Sequence, residues 1–459
     1  MIADTLVNAA AIMQGTLQGT LCGESARFQG LSTDTRTLRK GELFFALQGP
    51  NFDGGRFLAR AAECGAAGAV VQSLVDTTLP VITVSDTRQA LGQLAAAWRR
   101  RLQVTVIGLT GSNGKTTLKS LLANCLSRVA PTFATRGNLN NDIGLPLMLS
   151  ELAPEHRYAV IEMGANHAGE IAALTALAEP EIAVITNAGP AHLEGFGSLD
   201  GVASAKGEIL AGTVRPRCAV LNADDRYFSV WRALAADIDI VSFGSAEQAD
   251  VRAVDVQLNE SGSTFRMHIG AALARPVSLS LPGRHNVLHA CAAAAVASRL
   301  DIDFEIIRQG LESAEPVAGR LQPVSCLGGA ILYDDSYNAN PASVIAAAEF
   351  IVTRPGCSWL VLGDMGELGR DREAMHREVG AAARAAGVSR LFATGPLSRL
   401  TAQAFGDNGE WFATVDALVD ELTRSATSGV NILVKGSRAA HMERVVDALR
   451  ADSTSRRRA

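Results

Sequence analysis

Val104-Thr105-Val106-Ile107-Gly108-Leu109 runs without a break into Thr110-Gly111-Ser112-Asn113-Gly114-Lys115-Thr116-Thr117. The first six residues are mostly β-branched or apolar and read as a buried strand. The residues that follow, Leu118, Leu121, Leu122, Cys125, Leu126 and Val129, recur at helical spacing and form one apolar stripe. Strand, glycine-rich turn and helix together are the setting of a phosphate loop. Backbone N–H groups point into the turn, the helix N-terminus adds positive dipole, and Lys115 supplies a mobile cation. Thr116 then presents its hydroxyl to the Mg²⁺ that bridges nucleotide phosphates. The strict eight-residue pattern wants a glycine where Leu109 stands, so the loop is read as a particular variant of the motif.

Working outward, further strand ends carry chemically useful residues. Tyr158–Ile161 leads into Glu162, a hard oxygen ligand suited to Mg²⁺. Ala183–Thr186 leads into Asn187-Ala188-Gly189-Pro190-Ala191-His192, and His192 gains weight from following a strand of the same sheet. Lys206 falls on a helix, where a lysine is ordinarily a solvated surface charge. A bare ammonium there would repel a metal, so it could help only by gripping phosphate or by being converted to an anion.

The chain has 459 residues, enough for about three domains. Residues 1–84 hold short apolar runs between glycine-rich turns. Residues 85–315 contain the phosphate loop, and Asp250–Leu258, Thr264–Ile269 and Val277–Leu281 read as antiparallel strands with turns at Glu260–Ser263 and Gly270–Pro276. A linker over Glu315–Pro323 leads into residues 316–459. There strands at Ala330–Tyr333, Trp359–Gly363, Arg390–Ala393 and Val430–Val434 alternate with helices, and Met442, Val445, Val446 and Leu449 mark the last helix. Such alternation predicts a parallel sheet covered on both faces, with ligands beyond the carboxyl ends of its strands. The expected fold is therefore α/β. It has a small N-terminal α/β domain, a central P-loop-type mononucleotide-binding sheet and a C-terminal Rossmann-like sheet.

Hydrophobic residues are 47% and charged residues 19% of the chain, which excludes a mainly disordered protein. No apolar run reaches the roughly 18 residues that span a bilayer, and Asp4 precedes any basic residue, so neither a membrane anchor nor a secretory leader is expected. A formal charge of −5 speaks against a general nucleic-acid binder. Seven dispersed cysteines (Cys22, Cys64, Cys125, Cys218, Cys291, Cys326, Cys357) suggest reduced thiols in a cytoplasmic protein. The Arg456–Arg458 tail reads as a frayed end. A monomer is expected, with no nucleic-acid or membrane partner.

Thr110–Thr117, Glu162, the Thr186–Glu194 loop and Lys206, in that order, resemble the Mur ligase family, the ATP-dependent amide-forming enzymes of peptidoglycan assembly. Four further stretches are similar to the branch that joins D-alanyl-D-alanine to UDP-N-acetylmuramoyl-tripeptide. They are Gly137–Gly144, Asp334–Pro341, Leu362–Gly369 and Val434–Arg438. The resemblance implies ATP and Mg²⁺, with Gly111, Ser112, Asn113, Gly114, Lys115, Thr116 and Thr117 around the phosphates. Thr116, Glu162 and His192 would serve the metal, and Lys206 matches the family's carbamylated lysine, whose anionic form meets the charge objection above. Lys115, Lys206 and His192 would be the catalytic set. Asn286 matches the adenine-side asparagine, and Arg320 and Asp335 match residues reaching the nucleotide from the C-terminal domain. Ser32, Thr33, Asp34 and Arg36, with the Phe44-Phe45 strand, resemble the UDP site. Asn138, Asn140 and Asn141, and Lys435, Ser437 and Arg438, are substrate-side candidates.

Read from the residues alone, Asn340-Pro341 is a strong helix start. Asp334–Asn338 therefore lies in a loop at the ligand edge. Tyr337 could serve there or simply pack, and Asn338 could bind or simply turn the chain. Asp364 and Glu367 could hold the incoming amine or cap the following turn. The base that deprotonates the amine is not identified, His192 and Glu162 being weak candidates because metal binding competes. The alternatives are a sister ligase that adds a single amino acid, and a non-catalytic nucleotide-binding module.

Overall fold

The computed structural model describes residues 1–19, 27–49, 52–73, 75–212, 214–259 and 262–451. Cys22, part of the Glu260–Ser263 turn and the Arg456–Arg458 tail lie outside them. The described residues are α/β and build three main sheets, within residues 16–83, 105–279 and 322–435.

The N-terminal sheet has five strands in the order Thr16–Gln18, Val81–Thr83, Gly68–Val71, Leu43–Phe45, Leu31–Ser32. All its pairings are parallel except that of Thr16–Gln18. Its inner face buries Leu43, Phe45, Val70 and Ile82 in one core with Leu6 of the helix Leu6–Ile12 and with the helix Thr87–Arg100. That helix serves two cores: Leu91 and Leu94 pack on the N-terminal sheet, and Ala95 packs on the next one.

The central sheet has nine strands. Its order is Thr132–Ala134, Tyr158–Glu162, Thr105–Thr110, Ile182–Ile185, Cys218–Asn222, Asp239–Gly244, Val251–Asn259, Gly262–Ile269 and Arg275–Leu279. The first seven pair in parallel and the last two pairings are antiparallel, as the apolar pattern of the final strands predicts. Against one face lies the helix Lys115–Ser127, with Leu118, Leu121, Leu122, Cys125 and Leu126 fully buried. Val129, expected to continue the stripe, is 45% exposed because the helix ends at Ser127 and the chain leaves helical phase. Beside it, Arg284–Arg299 buries an unbroken run of small residues from Ala290 to Ala297, which lets the two helices approach closely.

The C-terminal sheet has six strands in the order Gln322–Ser325, Ile331–Asp335, Val430–Lys435, Cys357–Leu362, Arg390–Thr394, Gly409–Phe412. All pairings are parallel except that of the edge strand Gln322–Ser325. The expected linker therefore ends earlier than Pro323, which pairs with Tyr333. Proline is tolerated there because an edge strand leaves one row of backbone groups unpaired. Among the described residues every cysteine is a free thiol, with Cys125, Cys218, Cys291 and Cys326 buried and Cys357 exposed. No described helix is long and apolar enough to cross a membrane.

Candidate active site

Thr105–Thr110 is flanked by Tyr158–Glu162 on one side and Ile182–Ile185 on the other, so three carboxyl ends sit side by side. Gly111 (φ 146°) and Gly114 (φ 81°) make the turn between strand and helix. A β-carbon at Gly111 would run into Thr186 Oγ1, and one at Gly114 into the His289 ring. Glycine is thus required by backbone conformation and by space. Thr186–Gly189 walls the loop. Asn113 N donates to Asn187 Oδ1 (3.0 Å), Thr186 Oγ1 donates to Asn113 O (2.7 Å), and Ser112 Oγ meets Gly189 O at 3.1 Å. Lys115 Nζ folds back on Gly111 O at 2.6 Å. Burial pushes its pKa down, against the opposing pull of Glu162.

Glu162 is 3% exposed and fully partnered. Oε1 accepts from Asn140 Nδ2 (2.8 Å), and Oε2 accepts from Thr116 Oγ1 (3.2 Å) and faces Lys119 Nζ (3.2 Å). Burial alone would raise its pKa, but the Lys119 and Lys115 ammoniums and the Asn140 amide outweigh it and hold the carboxyl below its ordinary value. His192 (φ 54°) pairs through Nδ1 with the carboxylate of Glu367 (φ 60°), in the loop that follows the C-terminal strand Cys357–Leu362. Both are non-glycine residues in the left-handed region, a conformation that costs energy and gathers at functional sites. Lys206 is 1% exposed, with its ammonium 5.2 Å from the Phe196 ring centroid. Desolvation, aided by Lys115, lowers its pKa to about 7.

Asn286, expected on the adenine side, lines a cavity of about 340 Å³ with Asn113, Gly114, His289, Arg320, Asp335, Lys435 and Ala347. Asn286 is 6% exposed and donates to Pro282 O at 2.7 Å. The neighbouring cleft, about 630 Å³, gathers Lys115, Asn138, Asn140, Asn141, Glu162 and His192 with Arg320, Tyr337, Asn338, Glu367, Lys435, Ser437 and Arg438. Besides the His192–Glu367 pair, two side-chain hydrogen bonds join its walls. Asn340 Nδ2 donates to Asn113 Oδ1 (2.8 Å), and Arg320 Nη2 donates to Thr116 Oγ1 (3.3 Å). Arg320 also stacks on Tyr337, 4.4 Å from its ring centroid, so Tyr337 both packs and faces the cleft. Asn338 Oδ1 accepts from Ala339 N, which is turn chemistry, while its carbonyl accepts from Lys435 Nζ (2.9 Å). Lys435 is spoken for, since it also holds Asp335 at 2.6 Å.

Asp364, Arg36, Phe44 and Phe45 lie away from the cavities. Asp364 accepts from Ser398 N (2.7 Å) and Leu397 N (3.3 Å), so its carboxylate starts the helix Ser398–Phe405 instead of facing the cleft. Ser32, Thr33 and Asp34 line a separate cavity of about 550 Å³ with Arg39, Arg136 and Glu151, but Arg36 does not. Its side chain is 87% exposed and paired with Asp34 at 2.6 Å. Phe44 and Phe45 point into opposite cores and contact neither cavity. Lys119, His289, Arg39 and Arg136 join these sites without being marked by any motif. Lys119 lies four residues after Lys115 and His289 three after Asn286, spacings that put each pair on one helix face.

The chain matches three family profiles: Mur ligase family, catalytic domain, over residues 27–99; Mur ligase middle domain over 109–297; and Mur ligase, glutamate ligase domain over 319–438. UDP-N-acetylmuramoyl-tripeptide–D-alanyl-D-alanine ligase from Escherichia coli K12 is 42% identical over 457 residues, covering 99% of this chain and all of the relative. The Bacillus subtilis protein of the same name is 34% identical, covering 97% of this chain and 98% of its own. Among solved structures, MurF from Acinetobacter baumannii superposes with a TM-score of 0.91 at 35% identity and 99% coverage of both chains. The Thermotoga maritima MurF ligase in complex with ADP gives 0.83 at 27% identity, covering 93% of this chain and 98% of that one.

Proposed function

The chain belongs to the Mur ligase family, and we propose that it joins the amine of D-alanyl-D-alanine to the terminal carboxylate of UDP-N-acetylmuramoyl-tripeptide, with ATP as phosphoryl donor. It is an ATP-dependent ligase of peptidoglycan precursor synthesis. The observation that carries this reading is the meeting of the phosphate loop with the Asp335–Asn340 loop and with Arg320, stacked on Tyr337 of that loop, across one cleft, through Asn340–Asn113 and Arg320–Thr116. A nucleotide held by the first and an amine held against the second would face each other there.

Carboxylate oxygen is a poor leaving group, so the tripeptide carboxylate must first be activated. In-line transfer of the γ-phosphoryl group to it gives an acyl phosphate, and the amine then attacks the acyl carbon through a tetrahedral intermediate that expels phosphate. The difficulty of the first step is the approach of two anions. Lys115 and Arg320 supply positive charge where the transferring group would lie. The donors around the phosphate loop fit Mg²⁺: Thr116 and Glu162 present hard oxygens 3.2 Å apart. With them, His192 and a carbamylated Lys206 would serve the magnesium ions, which when bound shield the negative charge of the phosphates. Lys206 is suited to carbamylation because its buried amine is partly neutral near pH 7. That neutral amine adds to CO₂ and loses a proton, and the side chain becomes an anion. Glu367 keeps His192 in the left-handed turn from which it reaches the cleft. Asn286 and the walls of the smaller cavity would take adenine, and Asp335, fixed by Lys435, would take the ribose side. Ser32, Thr33 and Asp34 would meet the UDP end, and Asn138, Asn140, Asn141, Ser437 and Arg438 the peptide and amine.

In this reading residues 1–84 bind the UDP substrate, 85–315 bind ATP and 316–459 bind the amine, and the protein works as a cytoplasmic monomer. The test is ATP-dependent phosphate release with UDP-N-acetylmuramoyl-tripeptide, with and without D-alanyl-D-alanine, beside single amino acids. Turnover that requires the dipeptide is the expected result. Turnover with a single amino acid instead would move the protein to a sister ligase, and none with any amine would leave a nucleotide-binding module.

A further inference from the structure

Lys119 sits one turn beyond Lys115 on the helix Lys115–Ser127, yet it does not line the cleft. Its side chain is 7% exposed. Nζ lies 3.2 Å from Glu162 Oε2 and donates to Gly137 O at 3.4 Å. Asn140, three residues beyond Gly137, holds the other oxygen of the same carboxylate at 2.8 Å. A buried ion pair of this kind contributes little net stability, because desolvating both charges offsets their attraction. Removing one partner is what costs. The pair therefore calls for a role other than holding the fold together.

We infer that Lys119 is a positioning residue that stands in for the divalent cation, balancing and aiming Glu162 while no metal is bound and tying the Gly137–Asn141 loop to that carboxylate. The inference rests on the assignment of Glu162 to Mg²⁺ made above. Its consequence is competition. Lys119 and a metal ion repel each other across one carboxylate, so the native chain binds metal more weakly than a chain in which Lys119 is neutral.

The experiment compares the native chain with Lys119→Met, Glu162→Gln and the double variant. Thermal unfolding is followed with ADP in EDTA and with ADP at saturating Mg²⁺, and Mn²⁺ binding in the presence of ADP is measured by electron paramagnetic resonance. Lys119→Met should lower the Tm in EDTA by several degrees and recover most of that loss with Mg²⁺. The double variant should be more stable than Lys119→Met alone, since no buried carboxylate is left unpaired. The Kd for Mn²⁺ should fall by about tenfold in Lys119→Met. A Tm loss of equal size with and without metal, additive losses in the double variant, or an unchanged Kd would each overturn the inference. If Lys119→Met does not fold, a folded double variant still supports the pairing, and an unfolded double variant beside a folded Glu162→Gln overturns it. None of these readings uses product formation, so failure of the ligase assignment would show separately, in the amine panel.

Discussion

Lys206 is 1% exposed, and its ammonium lies over the Phe196 ring. Burial carries its pKa from 10.5 to about 7. Below pH 7 folded and unfolded chains both hold the proton, and folding bears the full cost of burying it. Between about pH 7 and 10.5 the unfolded chain keeps a proton that the folded chain has released, so stability from this group rises with pH across that window. The neutral amine that appears over the same window is the form that takes up CO₂. With ¹³C-bicarbonate, the native chain should show a carbamate carbon by NMR that strengthens from pH 6.5 to 8.5 and is missing from Lys206→Arg, with activity lost about a hundredfold or more in that variant. A carbamate signal that survives in Lys206→Arg would assign it elsewhere. At Gly114 the argument is steric. Alanine there would take a left-handed conformation costing about 1–2 kcal/mol and would press on the His289 ring. Gly114→Ala should raise the KM for ATP more than tenfold, about 1.4 kcal/mol, and lower the Tm; unchanged nucleotide affinity would remove His289 from the loop's support. The phosphate-loop residues were legible because their chemistry follows from local order, strand, turn, helix. Lys119 was not, because a lysine on a helix reads as solvated. Its burial comes from Glu162, forty-three residues on, in the strand Tyr158–Glu162.

The helix Pro341–Val352 begins with a capping box. Asn340 Oδ1 accepts from Ser343 N at 2.9 Å, and Ser343 Oγ accepts from Asn340 N at 3.0 Å. The Asn340 amide nitrogen is left free to donate to Asn113 of the phosphate loop. The two halves of one side chain can therefore be separated. Asn340→Ala should cost about 1 kcal/mol of stability with loss of the cap and should also raise the KM for ATP. Asn340→Asp keeps a cap but turns a donor into an acceptor facing Asn113 Oδ1, so stability should be nearly preserved while the KM still rises. Equal KM values for Asn340→Asp and the native chain would make the bond to Asn113 incidental. This helix start was readable because Asn followed by Pro is local chemistry. Cys218–Asn222, Asp239–Gly244 and Gly409–Phe412 were not read as strands, since their identity rests on neighbours already in a sheet. For Asp364 the choice between amine binding and capping is open in the sequence for a related reason. Its partners, Leu397 and Ser398, arrive from more than thirty residues away.

At the scale of the whole molecule, the carboxyl edges of the central and C-terminal sheets face each other. Asn340–Asn113, Arg320–Thr116 and His192–Glu367 cross the gap on the cleft side, and Arg354 donates to Asn259 O (2.9 Å) elsewhere along it. Closure of this kind would keep water from an acyl phosphate. If the cleft contacts hold the closed form, Arg320→Ala with Glu367→Ala should enlarge the radius of gyration in solution scattering, and ATP with the tripeptide substrate should draw it back. Identical scattering from native and variant chains, with and without ligands, would contradict closure. The three-sheet plan was legible because each of the three segments carries its own apolar rhythm. The UDP end was least so: Arg36 and Phe44-Phe45 suited a site by sequence, but an ion pair and two cores claim them. The central claim is that the tripeptide carboxylate is phosphorylated in this cleft and then captured by a dipeptide amine. It is tested by labelling that carboxylate with ¹⁸O and analysing the phosphate released on addition of ATP and D-alanyl-D-alanine. The account predicts one ¹⁸O in each phosphate released, in step with amide formed. Phosphate free of ¹⁸O, released with or without the dipeptide, would contradict it.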